Sequence, residues 1–314
     1  MPIKNMKGKT AFITGGASGI GLGIAKACAK RGMNIVIADL RQNAIDEALE
    51  IFKANNWPAI GIQLDVSDRE GYVVAADKAE AAFGKIHLLV NNAGIGCAMG
   101  NLWDVSYDDI DMAIRVNLRG AINGVRTILP RILAHGEEGH VVSTCSQAAL
   151  LPNPGFALYN ITKTGIMAAM ESLSEDLYAI NSPVGASAFC PGGYITNLGV
   201  SSDEVVATLR GKKVEGKELA AEDVTEPTRS FDGWLEVMRN PDDAGERVVR
   251  GVQRGDLFIL THIEFKDGVE RRMEAIRKCY PQDVPNPKYT EIFSFLTYTE
   301  VYDTQTQVPA MPKD

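Results

Sequence analysis

The sequence of 314 residues has few histidines and cysteines, and neither type is spaced as in a metal site. There are four histidines, and the five cysteines lie far apart, are odd in number and form no C-x-x-C pair. This cysteine usage argues against a disulfide framework and favours reduced thiols in a cytosolic protein. We therefore expect no bound metal and a cytoplasmic location.

An excess of positive charge and long apolar runs are also missing. The formal net charge is −8, and lysines and arginines are scattered without a basic block, so we expect no nucleic-acid partner. The N-terminus has no apolar signal region, and no run reaches the roughly 18 apolar residues of a membrane-spanning helix. We expect a soluble protein that has no membrane partner.

The sequence does contain a regular alternation of short apolar runs and amphipathic stretches. Seven runs have the length and composition of buried strands, namely residues 10–14, 34–38, 59–64, 86–91, 140–144, 184–189 and 257–260. Helical patterns separate them, at residues 19–31, 41–55, 68–83, about 108–135, about 156–180 and 241–254. This alternation predicts an α/β fold of the Rossmann-like, doubly wound type, with a seven-stranded parallel sheet and helices on both faces.

We interpret residues 1–314 as a single domain with two additions. Residues of about 194–240 form an insertion that is polar and rich in lysine and glutamate, for which we expect mobile or weakly helical structure and the behaviour of a lid. The C-terminal extension covers about 262–314. Within it, residues 264–279 fit a charged amphipathic helix, and the proline-containing tail from Pro281 predicts irregular structure.

A glycine-rich turn follows the first predicted strand. The sequence TGGASGIG (14–21) opens the first helix and contains Gly15, Gly19 and Gly21. Glycine permits a tight turn and a close approach of the backbone to a pyrophosphate, whose charge is favoured at a helix N-terminus. Taken alone the signal is weak, and a purely structural turn stays open as the alternative.

An acidic residue ends the second predicted strand. Asp39 lies 20 residues after Gly19, where a carboxylate accepts hydrogen bonds from the ribose hydroxyls of an adenosine. A carboxylate there repels a 2′-phosphate, which favours NAD over NADP, although Arg41 would soften that repulsion. The alternative is a strand-end cap. The prediction is an NAD cofactor.

Tyr159 and Lys163 lie four residues apart, on one face of a predicted helix. A tyrosine phenol ordinarily titrates near ~10, too high for a base at neutral pH. An ammonium on the same helical face stabilises the phenolate, and such a phenol can act as base in alcohol oxidation and as acid in ketone reduction. Considered alone, an ordinary helix-surface pair is the more common explanation.

Six segments, in their order and spacing, resemble the short-chain dehydrogenase/reductase family: TGGASGIG, NNAG (91–94), VNLRG (116–120), Ser146, YNITK (159–163) and PGGYIT (191–196). The resemblance covers about residues 8–200, and residues 240–262 by organisation only. Thr162 takes a place that is usually serine. In its longer C-terminus the chain is similar to the bacterial Cα-dehydrogenases that oxidise the benzylic alcohols of lignin-derived aryl ethers.

The resemblance implies four catalytic residues, Asn117, Ser146, Tyr159 and Lys163. Ser146 would bond the substrate oxygen, Lys163 the nicotinamide ribose, and Asn117 a water that links Lys163 to solvent. It also implies a cofactor site lined by Gly15, Ser18, Gly19, Ile20, Asp39, Asp65, Val66, Asn92, Gly94, Tyr159, Lys163, Pro191, Gly192, Tyr194 and Thr196.

Three of the implied cofactor residues have open alternatives. Asp65 is also placed to cap a helix, and Asn92 to tie strand ends together through its amide. Tyr194 stands where the family usually has a small β-branched residue, so its ring needs a place outside the cofactor site.

The sequence therefore predicts an NAD-dependent oxidoreductase that interconverts a secondary alcohol and a ketone. The apolar segments 95–103 and 147–156 favour a hydrophobic aromatic or polycyclic substrate. A hydroxysteroid-type dehydrogenase, an NADP-dependent ketone reductase and a catalytically silent nucleotide-binding regulator remain alternatives. The resemblance also implies a homodimer or homotetramer, paired through the helices at about 108–135 and 156–180.

Overall fold

Seven parallel strands form one sheet in the order β3-β2-β1-β4-β5-β6-β7. The computed structural model describes residues 1–196, 198–210 and 233–311. The strands are β1 Thr10–Thr14, β2 Asn34–Asp39, β3 Ala59–Gln63, β4 Leu88–Asn91, β5 Gly139–Thr144, β6 Val184–Cys190 and β7 Phe258–Leu260. The order reverses between β1 and β4, which opens a crevice at the carboxyl ends of these strands. The predicted fold class is confirmed.

Helices follow the strands and cover both faces of the sheet. In the described ranges they are α1 Gly19–Lys30, α2 Gln42–Ala54, α3 Arg69–Phe83, α4 Tyr107–Ala113, α5 Gly120–Ala134, α6 Gln147–Leu150, α7 Ala157–Ala179, α8 Leu198–Leu209, α9 Trp234–Val237, α10 Pro241–Arg254, α11 Lys266–Lys278, α12 Pro287–Ile292 and α13 Ser294–Thr297. Across this part of the chain, no helix is both long and apolar enough to cross a membrane.

Two apolar layers flank the sheet, because successive strand residues point to opposite faces. Phe12 packs with Tyr72 of α3 and Ile128 of α5, whereas its neighbour Ile13 packs with Ile24 of α1 and Val248 of α10. Strands β1, β4, β5 and β6 are buried along their whole length, as expected for a parallel sheet covered on both sides. The central strands therefore hold the crevice on a rigid base.

The helical region predicted for about 108–135 contains a segment that the sequence pattern did not predict. Helix α4 passes into a π-helical turn at Ile114–Arg119 before α5 begins. Such turns insert one extra residue into the helical ladder and occur often at functional sites. Asn117 lies in this turn and is buried.

The tail from Pro281 is not irregular throughout, so that prediction is wrong in part. Helices α12 and α13 and a 3-10 turn at Glu300–Thr304 lie within it. Asn286 caps α12 by accepting from the Lys288 N–H, and Pro287 occupies the first turn, where its missing N–H costs nothing. The predicted lid includes residues 197 and 211–232, which lie outside the described residues.

Candidate active site

A cleft of about 730 Å³ lies at the carboxyl ends of the central strands. Ser146 and every residue of the predicted cofactor set line this cleft: Gly15, Ser18, Gly19, Ile20, Asp39, Asp65, Val66, Asn92, Gly94, Tyr159, Lys163, Pro191, Gly192, Tyr194 and Thr196. The structure thus brings together residues that are far apart in the sequence. Within the described ranges, no three His, Cys, Asp or Glu side chains form a group that could hold a metal ion.

The glycine turn between β1 and α1 closes one end of the cleft. Gly15 and Gly19 have φ of +60° and +51°, in the left-handed region that glycine tolerates. A Cβ atom on Gly21 would lie 2.0 Å from the Gly15 carbonyl oxygen, so the turn is too tight for a side chain there. Ser18 precedes α1 but does not cap it, which leaves the first N–H groups of the helix open to an anion.

Asp39 is buried at the end of β2 and is held in place by backbone donors. Its two carboxylate oxygens accept from the N–H groups of Ala17 at 3.3 Å and Arg41 at 3.2 Å. The Arg41 side chain also lies beside it, with Nε 3.5 Å from Asp39 Oδ1, and donates to Ser18 Oγ at 2.9 Å. Asp39 therefore caps the strand end and still lines the cleft.

Asp65 does not cap the following helix, so that alternative is wrong. Its Oδ1 accepts from the Ser67 N–H at 2.8 Å, in a local turn. Asp68 caps α3 instead, by accepting from the Glu70 N–H at 3.0 Å. The Asp65 carboxylate remains at the cleft wall, with Arg115 Nη2 at 3.8 Å from its second oxygen.

Asn92 ties three strand ends together, as predicted by the structural alternative to a cofactor-binding role. Its amide nitrogen lies 3.2 Å from the carbonyl oxygens of both Thr14 and Gly15, and its amide oxygen accepts from Thr144 Oγ1 at 3.2 Å. These bonds join the ends of β1, β4 and β5. Asn92 thus shapes the cleft chiefly through the backbone that it holds.

Tyr159, Lys163 and Ser146 meet at the end of β5. Lys163 is buried, donates from Nζ to the Thr144 carbonyl oxygen at 2.9 Å, and lies 5.5 Å from the centroid of the Tyr159 ring. Ser146 caps the short helix α6, because its Oγ accepts from the Ala148 N–H at 3.1 Å. That bond uses an acceptor lone pair and leaves the hydroxyl proton to be donated.

Asn117 does not line the cleft, in contrast to the other three predicted catalytic residues. Its side chain is buried and bonded to both backbone groups of one residue, Ile95. Its oxygen accepts from the Ile95 N–H at 2.8 Å, and its nitrogen donates to the Ile95 carbonyl at 3.0 Å. The amide therefore braces the loop after β4. The predicted water would have to bind the backbone of Asn117.

Helix α8 forms a wall of the cleft, within the segment predicted to be mobile or weakly helical, and its bounds were not predicted. Residues that complete this side of the lining are mostly apolar: Ile95, Cys97, Met99, Phe156, Leu198, Val205, Leu209 and Met238. Ser202, which is buried, accepts from the Gly96 N–H at 2.7 Å and so fastens α8 to the loop after β4. The helical spacing of Leu198, Val205 and Leu209 was the signal available in the sequence.

The arrangement of glycine turn, acidic strand end and Ser-Tyr-Lys cluster agrees with a match to known proteins. The family model described as short chain dehydrogenase matches residues 9–206. The chain belongs to the short-chain dehydrogenase family. The predicted family is thus confirmed, and the chain is an oxidoreductase of this family.

Individual members of the short-chain dehydrogenase family support the same assignment. The chain is 33% identical to the C alpha-dehydrogenase of Sphingobium sp. strain SYK-6, over 87% of each chain. A short-chain dehydrogenase/reductase of Burkholderia phymatum in complex with NAD is 31% identical, with a TM-score of 0.77 over 90% of this chain and 99% of that one.

A short-chain dehydrogenase of Burkholderia cenocepacia J2315 in complex with NADP is 26% identical, with a TM-score of 0.64 over 82% of this chain and 96% of that one. Family members thus bind nicotinamide dinucleotides of both kinds. The similarities are compatible with either cofactor.

Proposed function

We propose that this short-chain dehydrogenase interconverts a secondary alcohol and a ketone with NAD as its cofactor. One observation carries the proposal: Ser146, Tyr159 and Lys163 line the same cleft as Asp39 and the glycine turn. A nucleotide-binding end and an acid/base cluster thus share one cavity. A catalytically silent nucleotide-binding protein would need only the first of these.

The lining residues fit an extended dinucleotide. Asp39, after β2, is placed to accept from the adenosine ribose, and the uncapped N-terminus of α1 is placed to receive the pyrophosphate. Ser146 and Tyr159 lie on the other side of the strand-order reversal, with β5 and α7, so the nicotinamide belongs there. When bound, the nicotinamide supplies the hydride chemistry.

Tyr159 would act as the general base in oxidation and the general acid in reduction. The Lys163 ammonium lies 5.5 Å from the centroid of the Tyr159 ring, and its bond to the Thr144 carbonyl holds it there. Ser146 would donate its free hydroxyl proton to the substrate oxygen and so stabilise the charge that develops there. The backbone of Asn117 would hold the water through which Lys163 exchanges protons with solvent.

The apolar wall supports a hydrophobic substrate. Cys97, Met99 and Phe156 line the same cleft as α8, and burial raises the pKa of the Cys97 thiol, so the thiol stays neutral. A sugar would leave its hydroxyls without partners on such a wall. An aromatic or polycyclic alcohol fits better. The similarity to a C alpha-dehydrogenase also supports dehydrogenation as the reaction.

A panel of secondary alcohols tests the proposal directly. Purified protein is mixed with NAD and, separately, NADP, and the absorbance of the reduced cofactor is followed. Aryl and polycyclic secondary alcohols should be oxidised with NAD, and small aliphatic alcohols and sugars should react much more slowly. Binding of NADH without turnover of any member of the panel would favour the silent regulator.

We also propose that the protein assembles as a homodimer or homotetramer through the region α4–α5 and α7. Ile122 of α5 and Ile161 of α7 are about half exposed, which supports a partner for these helices. Light scattering during gel filtration would give a mass of two or four chains.

The widely spaced cysteines support a reducing, cytoplasmic location.

A further inference from the structure

The loop at residues 191–196 leaves β6 and lines the cleft through Gly192, Tyr194 and Thr196. It lies beyond β5, on the side of the sheet that carries Ser146, and far from Asp39 along the strand order. A dinucleotide whose adenosine lies at Asp39 would present its nicotinamide to this loop. The position of the loop therefore matters for the reacting end of the cofactor.

The Tyr194 ring is the feature of this loop that sequence reasoning left unplaced. It is 7% exposed and belongs to the apolar layer that also contains Ala244 and Val248 of α10. The rings of Tyr194 and His262 meet in a T-shaped arrangement, with centroids 5.6 Å apart and planes at 88°. The ring thus enters the core behind the cleft, although its residue belongs to the cleft lining.

The Tyr194 hydroxyl ends at a carboxylate on the first turn of α10. It donates to Asp243 Oδ2 at 2.8 Å, and the same oxygen accepts from Arg247 Nε at 2.8 Å. Burial opposes ionisation of Asp243, but the bonds from Arg247 and Tyr194 outweigh it and lower the carboxyl pKa. A charged acceptor makes this bond stronger than one between neutral groups.

Backbone contacts fasten the loop on either side of this bond. Tyr194 pairs with Arg239 in a bridge, in which the Arg239 N–H donates to the Gly193 carbonyl and the Ile195 N–H to the Arg239 carbonyl. The Gly192 N–H donates to Thr261 Oγ1 at 3.0 Å. The bond from Tyr194 to Asp243 adds a side-chain anchor to these backbone contacts.

We propose that Tyr194 is a positioning residue, whose bond to Asp243 holds the 191–196 loop against α10 and fixes the nicotinamide end of the cleft. This inference rests on the proposed function, because it assumes a dinucleotide in the cleft. It accounts for a tyrosine where the family usually has a small residue. The ring fills the core, and the hydroxyl ties the loop to a helix that begins with Asp243 in its first turn.

The variant Tyr194→Phe tests the inference, because it removes the hydroxyl and keeps the ring. NADH and ADP-ribose, which lacks the nicotinamide, are titrated separately by fluorescence and calorimetry. We expect the Kd for NADH to rise about tenfold, as for loss of one bond to a charged group, with the Kd for ADP-ribose unchanged. Amide hydrogen exchange in residues 192–196 of the chain without cofactor should become faster.

Two further variants sharpen the test. Asp243→Asn weakens the same anchor from the other side and should reproduce the pattern. Tyr302→Phe is the matched control, because Tyr302 also donates to a carboxylate, Glu171, at 2.8 Å but lies outside the cleft lining. It should change neither Kd.

An unchanged NADH affinity in Tyr194→Phe would overturn the proposed role of Tyr194 while leaving the proposed function in place. Equally weakened binding of NADH and ADP-ribose would do the same. If the unaltered protein bound neither NADH nor ADP-ribose, the proposed function would fail and the anchor with it.

Discussion

Lys163 lies with its ammonium 5.5 Å from the ring centroid of Tyr159 and within hydrogen-bond distance of the Thr144 carbonyl. This relationship joins α7 to the end of β5, since Thr144 is the last residue of that strand. A positive charge fixed by the sheet therefore lies beside a phenol that faces the cleft. The proposed acid/base chemistry depends on Tyr159 and Lys163. The other residues of the cleft determine which substrate and cofactor bind beside this pair.

Asp39 should decide between NAD and NADP. Replacing it by asparagine removes the charge that repels a 2′-phosphate, while the positive charge of Arg41 stays beside it. The ratio of kcat/KM for NAD to that for NADP should fall by about tenfold or more. Steady-state kinetics with one alcohol and both cofactors measures it.

Asp46→Asn provides the control for this experiment, since Asp46 is an exposed acid on the neighbouring helix α2 and should leave the ratio unchanged. Equal use of NAD and NADP by the unaltered protein would contradict the assigned role of Asp39.

Substitution of Ser202 should weaken substrate binding more than cofactor binding. In Ser202→Ala the bond that fastens α8 to Gly96 is lost, and such a bond contributes about 0.5–1.5 kcal/mol. The KM for the alcohol should rise about three- to tenfold, with the KM for NAD nearly unchanged. Ser182→Ala is the matched control, because Ser182 is equally buried and accepts from the Val184 N–H, before β6. A rise in KM for NAD alone would refute the assignment of α8 to the substrate.

Local patterns were enough to predict the seven strands of this fold and the main helices between them. Alternation and helical spacing act within a few residues, and they located β1 at 10–14 and α10 at 241–254 as the structure has them. Glycine, acidic and Ser-Tyr-Lys motifs then predicted the lining of the cleft. These features depend on short sequence separations or on fixed strand ends.

Contacts between distant segments could not be predicted in this way. Ser202 meets Gly96 across 106 residues, and Tyr194 meets Asp243 across 49. The Asn117 amide bonds Ile95 across 22 residues, and the π-helical turn that contains Asn117 leaves no periodic signal in the sequence. Asn286 and Pro287, in contrast, form a recognisable helix start signal for α12, although no helix was predicted there.

His140 should make the stability of the fold depend on pH. Burial, and to a smaller extent the positive N-terminus, lower its pKa to about 3, so the folded protein keeps the ring neutral. The unfolded chain takes up a proton near the ordinary pKa of about 6.5, so the free energy of unfolding falls as the pH drops below that value.

Between pH 7 and 4.5, urea unfolding should show the protein losing about 2–3 kcal/mol more than the variant His140→Gln, which has no titrating ring. Parallel losses in the two proteins would show that His140 does not titrate in this window.

The substitution Tyr159→Phe tests the central claim most directly, because it removes the ionisable hydroxyl and keeps the ring. The alcohol that reacts best in the panel is used, kcat is measured with saturating NAD, and Tyr178→Phe at the far end of α7 serves as the control. We predict that kcat falls at least about 100-fold, as for the loss of a general acid/base, while the Kd for NADH changes little. Turnover within about tenfold of the unaltered protein, with NADH still bound, would contradict the role of Tyr159.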